Sequence, residues 1–218
     1  MARGAAAYYP AFLDLWHKRV VVIGGGQIAT GKVQGLLPCQ PRPLVVVAPR
    51  ASQPIQQAAR DGQLEWIARG YAPGDLAGAA LAFAASDDRA LNAQVAAEAR
   101  RRSIPVLAVD DVPNCDFIAP ALVRRGDLVI AISTSGRSPA MARRARESLD
   151  ELVPRHWGDL LEVVATARQR LGQTRRRLSA DQWQAAIDTK LETLVRRGEL
   201  ESAIELLVSR LQVLDSSG

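Results

Sequence analysis

The residues with the clearest chemical potential are Val20-Val21-Val22-Ile23-Gly24-Gly25-Gly26-Gln27-Ile28-Ala29. They read G-x-G-x-x-A, directly after a β-branched strand and directly before a helix. That pattern suits a dinucleotide. Gly24 permits the tight turn, Gly26 lets backbone approach a pyrophosphate, and Ala29 allows close helix–strand packing. The phosphates would meet free N–H groups at the helix start. A tight structural turn is the alternative. An NAD site usually carries Asp or Glu about 20 residues further on, for the ribose 2′-hydroxyl. Here the second strand ends in Ala48-Pro49-Arg50, without a carboxylate. Arg50 could face a 2′-phosphate, which leaves NADP open.

Three further clusters could do chemistry. Asp110-Asp111 follows a fifth strand, where a carboxylate can face the reactive end of a cofactor and act as a general base. The alternative is a turn Asp capping the next segment. Ser86, after Leu81–Ala85, would lie at a strand end beside the cofactor; Asp87 and Asp88 read as helix-start residues, with Asn92 behind them. Ser133-Thr134-Ser135-Gly136-Arg137-Ser138-Pro139 brings hydroxyls, a glycine and an arginine to a helix start, a suitable anion cradle. Helix capping explains only Ser138-Pro139. No metal site is expected: His17 and His156 are far apart, and Cys39 and Cys115 form no CxxC pair.

These residues need a scaffold, and the pattern supplies one. Strands are expected at Arg19–Ile23, Leu44–Ala48, Glu65–Ala68, Leu81–Ala85 and Val106–Val109. Helices are expected at Gln27–Leu37, Ser52–Asp61 (Ser52 as N-cap) and Arg89–Arg102. Alternation at this spacing gives an α/β fold with a Rossmann-like parallel sheet. Then Asp116–Val123 and Asp127–Ser133 read as an antiparallel pair around Arg124-Arg125-Gly126. A helix runs from Ser138-Pro139 to about Leu152. After Pro154 everything reads helical, with a Ser179/Gln182 capping box. Trp183, Ile187, Leu191 and Leu194, and then Leu200, Ile204, Leu207, Leu211 and Leu214, form apolar stripes suited to core or dimer contact.

Composition sets outer limits. The chain has 218 residues, 48% hydrophobic and 23% charged, the profile of a globular enzyme. The uncharged, mostly apolar run Leu76–Ser86 has 11 residues, too few to cross a bilayer. Met1–Pro10 has no apolar signal region, so a cytoplasmic protein is expected. The net charge of +5 divides as +3 over residues 1–113, +2 over 114–150 and zero over 151–218. A modest positive field suits a polyanionic small molecule or nucleic acid, or is a solvated surface.

Together these residues resemble the precorrin-2 dehydrogenase family, the dehydrogenase–ferrochelatase module of sirohaem synthesis. The resemblance runs from Tyr9-Pro10 to about Gly158. It includes Tyr9–Leu15, the glycine loop with Lys32, Val47-Ala48-Pro49, Arg69-Gly70-Tyr71 with Gly74-Asp75-Leu76, and Ala84–Asp88 with Asn92. It continues through Val109-Asp110-Asp111, Phe117–Pro120, Arg125–Leu128 and Ile132–Pro139. The family's Val-Ala-Pro removes the missing acidic residue as an objection to NAD.

The resemblance implies three domains: NAD-binding 1–113, dimerisation 114–150 and C-terminal helical 151–218, with those last helices flanking the substrate cleft. It implies that Gly24, Gly25, Gly26, Gln27, Ile28, Pro49 and Arg50 hold NAD, beside Ser86. Asp110 corresponds to the essential aspartate, and Thr134 to a serine that is modified in some members. The implied activity of the homodimer is NAD-dependent oxidation of precorrin-2 to sirohydrochlorin. Insertion of Fe2+ to give sirohaem is a further expectation, with a dehydrogenase lacking that step as the alternative. An oxidoreductase acting on another polyanion, or an NAD(H)-sensing DNA-binding regulator, are the competing classes. No helix-turn-helix precedes residue 19, and the C-terminal helices carry no net charge, so neither nucleic acid nor membrane is an expected partner. Three positions depart from the family: His17 replaces a usual glycine, Gly31 a usual arginine and Leu107 a frequent Asn. No second glycine-rich module follows before Gly218, so the fused methyltransferase is not expected.

Overall fold

The computed structural model describes residues 8–173 and 178–216. Residues 1–7, part of the leader reading, lie outside them. The chain divides into two compact units, Met1–Ala119 and Pro120–Gly218.

In the first unit, β1 (Val20–Ile23), β2 (Leu44–Val47), β3 (Glu65–Ile67), β4 (Leu81–Ala84) and β5 (Val106–Ala108) form one sheet. Its order is β3-β2-β1-β4-β5, and every pairing is parallel. The central strands read as unbroken apolar runs because a parallel sheet is covered on both faces. Val20, Val21, Val22 and Ile23 are at most 1% exposed, each worth about 1.5–3 kcal/mol of burial. The crossover helices are α1 (Gln27–Leu36), α2 (Gln53–Arg60) and α3 (Arg89–Arg101). Pro38, which removes a helix donor, confines residues 37–39 to a 3-10 turn after α1, so the helix stops one residue earlier than expected.

The strand order reverses between β1 and β4. This switch point is where ligands bind in open α/β sheets, outside the carboxyl ends of the strands. The β3–β4 connection is a loop instead of a helix. Buried Glu98 on α3 pins it: the carboxylate accepts hydrogen bonds from the Tyr71 hydroxyl, from Gly74 N at 3.0 Å and from Arg102 Nε at 2.7 Å. Arg69 and Asp75 close the same loop with a bidentate ion pair of 2.6 and 2.8 Å.

The second unit opens with an antiparallel hairpin, β6 (Ala121–Arg125) and β7 (Leu128–Ile132), in register Arg125↔Leu128 to Ala121↔Ile132. The expected strand at Asp116–Val123 is corrected here. Asp116 N donates to Val106 O, and the Asp116 carboxylate accepts from Val106 N. These bonds tie residue 116 to β5, and Pro120 has no N–H to offer a ladder, so pairing begins only at Ala121. Then follow α4 (Pro139–Leu152), α5 (Trp157–Arg170), α6 (Ala180–Ala186), α7 (Thr189–Arg196) and α8 (Leu200–Ser216). Arg125 ties the hairpin to the end of α4 through Asp150 and the Val153 carbonyl. The helices share a core of Leu160, Val163, Ala167, Leu191, Leu207 and Leu211, so the apolar stripes are core apart from Leu200, which is exposed. The Ser179/Gln182 capping box is formed as expected.

Candidate active site

Each glycine of the loop after β1 has its own steric reason. Gly24 has φ +120°, and a Cβ there would lie 2.3 Å from Ala85 O at the end of β4. At Gly25 a Cβ would lie 2.1 Å from Arg50 O, so this glycine lets the post-β2 segment close in, with Ser52 N donating to Gly25 O at 2.8 Å. A Cβ at Gly26 would meet nothing within 4 Å. The space over Gly26 is open, and Gly26 is also the N-cap of α1, with no side chain capping the first turn. Free N–H groups, the positive helix end and a surface without side chain form a fitting seat for a pyrophosphate. Ala29 is fully buried against the sheet, as close helix–strand packing requires.

The remaining cofactor candidates surround this seat. Gln27, Ile28, Pro49 and Arg50 are exposed at the same carboxyl edge. Ser52 occupies the N-cap position of α2, yet its hydroxyl bonds Thr30 Oγ1 at 2.6 Å and does not cap the helix. This bond ties α2 to α1 behind Gly26. Ser86 follows β4 as expected. Buried Asn92 grips its backbone from both sides, accepting from Ser86 N at 3.1 Å and donating to Ser86 O at 2.8 Å. The Ser86 hydroxyl accepts from Asp88 N at 3.1 Å. Asp88 caps α3, accepting from Ala90 N and Leu91 N.

Asp110 lies two residues beyond β5, and Val109 N still donates to Ala84 O at 2.9 Å. It is exposed and makes no hydrogen bond or ion pair among the described residues. Its φ is +57°, in the left-handed region that Asp and Asn enter more readily than other non-glycine residues. β5 sits two strand spacings from β1, about 10 Å. The carboxylate and the glycine loop therefore share one edge of one sheet. Asp111 is turned inward and accepts from the Asn114 side chain. Cys115, missed by sequence reasoning, is buried behind it; burial pushes its thiol pKa up. Burial also pulls the half-buried Lys32 ammonium below its ordinary value.

In the second unit three of the Ser133–Pro139 hydroxyls, those of Ser133, Thr134 and Ser138, bond within the segment. Thr134 Oγ1 donates to Ser138 O at 3.0 Å and accepts from Ser138 N at 3.2 Å. Ser138 Oγ caps Met141 N, and Ser133 Oγ accepts from Ser135 N. No group of three His, Cys, Asp or Glu side chains is clustered as metal ligands among the described residues. Among them, no helix is long and apolar enough to cross a membrane.

The departures have structural meaning. His17 adopts φ +55°, which explains a glycine as the usual occupant. Gly31 sits on the exposed face of α1 with open space around it. Leu107 is 7% exposed, a core residue of β5 opposite Phe83.

The family described as "Putative NAD(P)-binding" matches residues 11–121, and the family described as "Sirohaem biosynthesis protein central" matches residues 125–152. A siroheme synthase of Photorhabdus laumondii is 37% identical over 213 residues, covering 97% of this chain and 45% of that one. Siroheme synthase 1 of Serratia proteamaculans is 37% identical, covering 94% and 43%. The chain thus spans less than half the length of these curated relatives. Among solved structures, "SirC, precorrin-2 dehydrogenase" superimposes with a TM-score of 0.70 at 27% identity, covering 91% of this chain and 99% of that one.

Proposed function

The chain belongs to the NAD(P)-binding family matched over residues 11–121 and is homologous to the sirohaem synthases, and from that premise we propose that it oxidises precorrin-2 to sirohydrochlorin. NAD+, when bound, supplies the hydride acceptor. The observation that carries the reading is the Asp110 carboxylate, without a partner among the described residues, on the same sheet edge as the open Gly26 seat. The likeness to a solved precorrin-2 dehydrogenase over 91% of the chain supports precorrin-2 as the substrate.

The protein's own residues then have distinct tasks. The first-turn N–H groups of α1, at Gln27 and Ile28, hold the pyrophosphate. Pro49 and Arg50 border the adenosine side, and the Ser86 backbone, fixed by Asn92, borders the reactive end. Asp110 accepts the proton released as the tetrapyrrole loses a hydride. The basic excess of residues 1–150 attracts a polycarboxylated macrocycle. Fe2+, as a second substrate, would need pyrrole protons removed and a weak oxygen ligand, and Asp110 offers both. The working unit in this reading is a homodimer. α4 buries none of its residues, and Met141 and Leu152 stand 56% and 74% exposed, which suits a face covered by a second copy. Thr134 in this reading is a modification position, and the three-domain division of the sequence is retained.

The test is anaerobic absorbance of the purified protein with precorrin-2 and NAD+, then with Fe2+. A sirohydrochlorin spectrum that requires NAD+ is expected. A further protein-dependent change to the sirohaem spectrum would add iron insertion, and its absence would leave a dehydrogenase alone. NAD+ binding without turnover would refute the substrate assignment.

A further inference from the structure

Asp110 needs an explanation that its own contacts do not give. Its backbone is left-handed at φ +57°, and no side-chain partner holds it among the described residues. The restraint lies in the segment behind it. Cys115, 7% exposed, places its sulfur 3.0 Å from Ala108 O and 3.4 Å from Asp111 O. These two carbonyls bracket Val109 and Asp110. Asn114 N donates to Asp111 O at 2.9 Å, and the Asn114 side chain donates to the Asp111 carboxylate. Asp116 closes the base by exchanging two hydrogen bonds with Val106, at 2.8 and 3.0 Å. Asp110 is the exposed apex of this clasp, and the sulfur fills its interior.

We propose that Cys115 is a positioning residue that holds Asp110 in its reactive placement, an inference that rests on the precorrin-2 dehydrogenase reading. Carbonyls only accept hydrogen bonds, so the sulfur must keep its proton. The burial that disfavours the thiolate favours that state. A thiol donating to Ala108 O, with Asp111 O as its second polar contact, draws both ends of the Val109–Asp110 step towards one atom. Removing the donor leaves Ala108 O with only the long 3.4 Å bond from Asp111 N, and Asp111 O with Asn114 N alone, among the described residues, which loosens the clasp and lets the apex relax towards an ordinary backbone conformation. The carboxylate then moves relative to the bound cofactor, while the cofactor's own seat, built by β1, α1 and β2, is untouched.

The experiment compares the wild-type chain with Cys115→Ala and Cys115→Ser, all loaded with NAD+. The Cys115→Ala protein is expected to lose about 10²-fold in kcat for precorrin-2, the scale of an ångström of misplacement. Its KM and its NAD+ Kd should match wild type. Cys115→Ser, which restores a donor, should recover most of the lost rate. Equal kcat in Cys115→Ala and wild type would overturn the proposal. So would a serine variant as slow as the alanine one, because the loss would then be one of packing. Should Cys115→Ala fail to fold, Cys115→Val fills the volume without a donor and takes its place. An inactive wild type would instead refute the reaction assignment. The clasp is then decided by amide exchange at residues 109–111 in the NAD+-bound protein. Faster exchange in Cys115→Ala than in wild type and Cys115→Ser supports it, and equal exchange in all three overturns it.

Discussion

Replacing the loop glycines one at a time should separate folding from cofactor binding. At Gly24 an alanine must adopt φ +120°, with its Cβ 2.3 Å from the Ala85 carbonyl oxygen just after β4. The backbone strain costs about 1–3 kcal/mol, and the forced shift of Ala85 costs about 1–3 kcal/mol more. A loss of about 2–6 kcal/mol lowers Tm by about 4–24 °C at this chain length. At Gly26 the same methyl meets nothing within 4 Å, and φ is an ordinary −78°. Its folding cost is the difference between Gly and Ala at an N-cap, about 1 kcal/mol or less. That methyl would, however, stand where the pyrophosphate approaches. An overlap of about 1–3 kcal/mol weakens Kd about 5- to 150-fold. Calorimetric melting and NAD+ titration of the two variants read both effects. Gly26→Ala should melt near wild type and bind NAD+ poorly; Gly24→Ala should melt early. A Gly26→Ala protein with wild-type affinity would refute the placement of the phosphates on α1.

Asp110→Asn should keep fold and NAD+ affinity, since Asn tolerates the left-handed backbone, and should lose about 10²–10⁴-fold in the absorbance assay as the base is removed. Retained turnover would exclude that role. Glu98→Leu should cost about 1.5–3 kcal/mol in urea unfolding, from the lost hydrogen bonds of a buried carboxylate. Burial pushes the Glu98 carboxyl up, but its bonds from Tyr71, Gly74 and Arg102 outweigh burial and leave its pKa below the ordinary value. Its stabilisation is therefore complete above the unfolded pKa near about 4.3 and is lost as pH falls through the folded value; acid melts of wild type and Glu98→Leu should converge. In the second unit, the Arg210 guanidinium and Leu191 N hold Asp188 at about 2. Its contribution is present above about 4 and disappears as pH falls through about 2. Asp188→Ala should also remove the α7 N-cap, costing about 1 kcal/mol by thermal melting at neutral pH. Gly31→Ala, on the open face of α1, should raise stability by about 0.5–1 kcal/mol, read by the same melt.

The sheet was legible because a strand buried on both faces must be apolar throughout. Val20–Ile23 and Leu44–Val47 therefore announce themselves against polar helices. The glycine loop was legible because its chemistry is local: strand, turn and helix N-terminus lie within ten consecutive residues, Val20–Ala29. Ser86 and Asp110 could be placed at strand ends for the same reason. What escaped the sequence depends on partners distant along the chain. Ser52 is a correct N-cap by position, but its hydroxyl was claimed by Thr30, 22 residues earlier. The expected strand over 116–123 contained apolar residues in plenty. Asp116 nevertheless answers to Val106 across a loop, and no period-two pattern encodes that. Glu98 reads as one more charge on a helix until Tyr71 and Gly74 arrive to satisfy it.

Cys115 is the sharpest case. Sequence logic tests a cysteine for metal spacing or disulfide partners, and Cys115 has neither. Its signal is conformational and belongs to another residue. Asp enters the left-handed region more readily than most residues, and the buried thiol between Ala108 O and Asp111 O is placed to hold Asp110 there. The His17 backbone carries the same kind of information in the opposite direction. There a left-handed φ of +55° explains the family's glycine, and His17→Gly should relieve strain where Asp110→Gly would delete the carboxylate. Two residues with nearly the same φ thus have opposite consequences, because only one of them stands on the edge of the sheet where the dinucleotide seat opens.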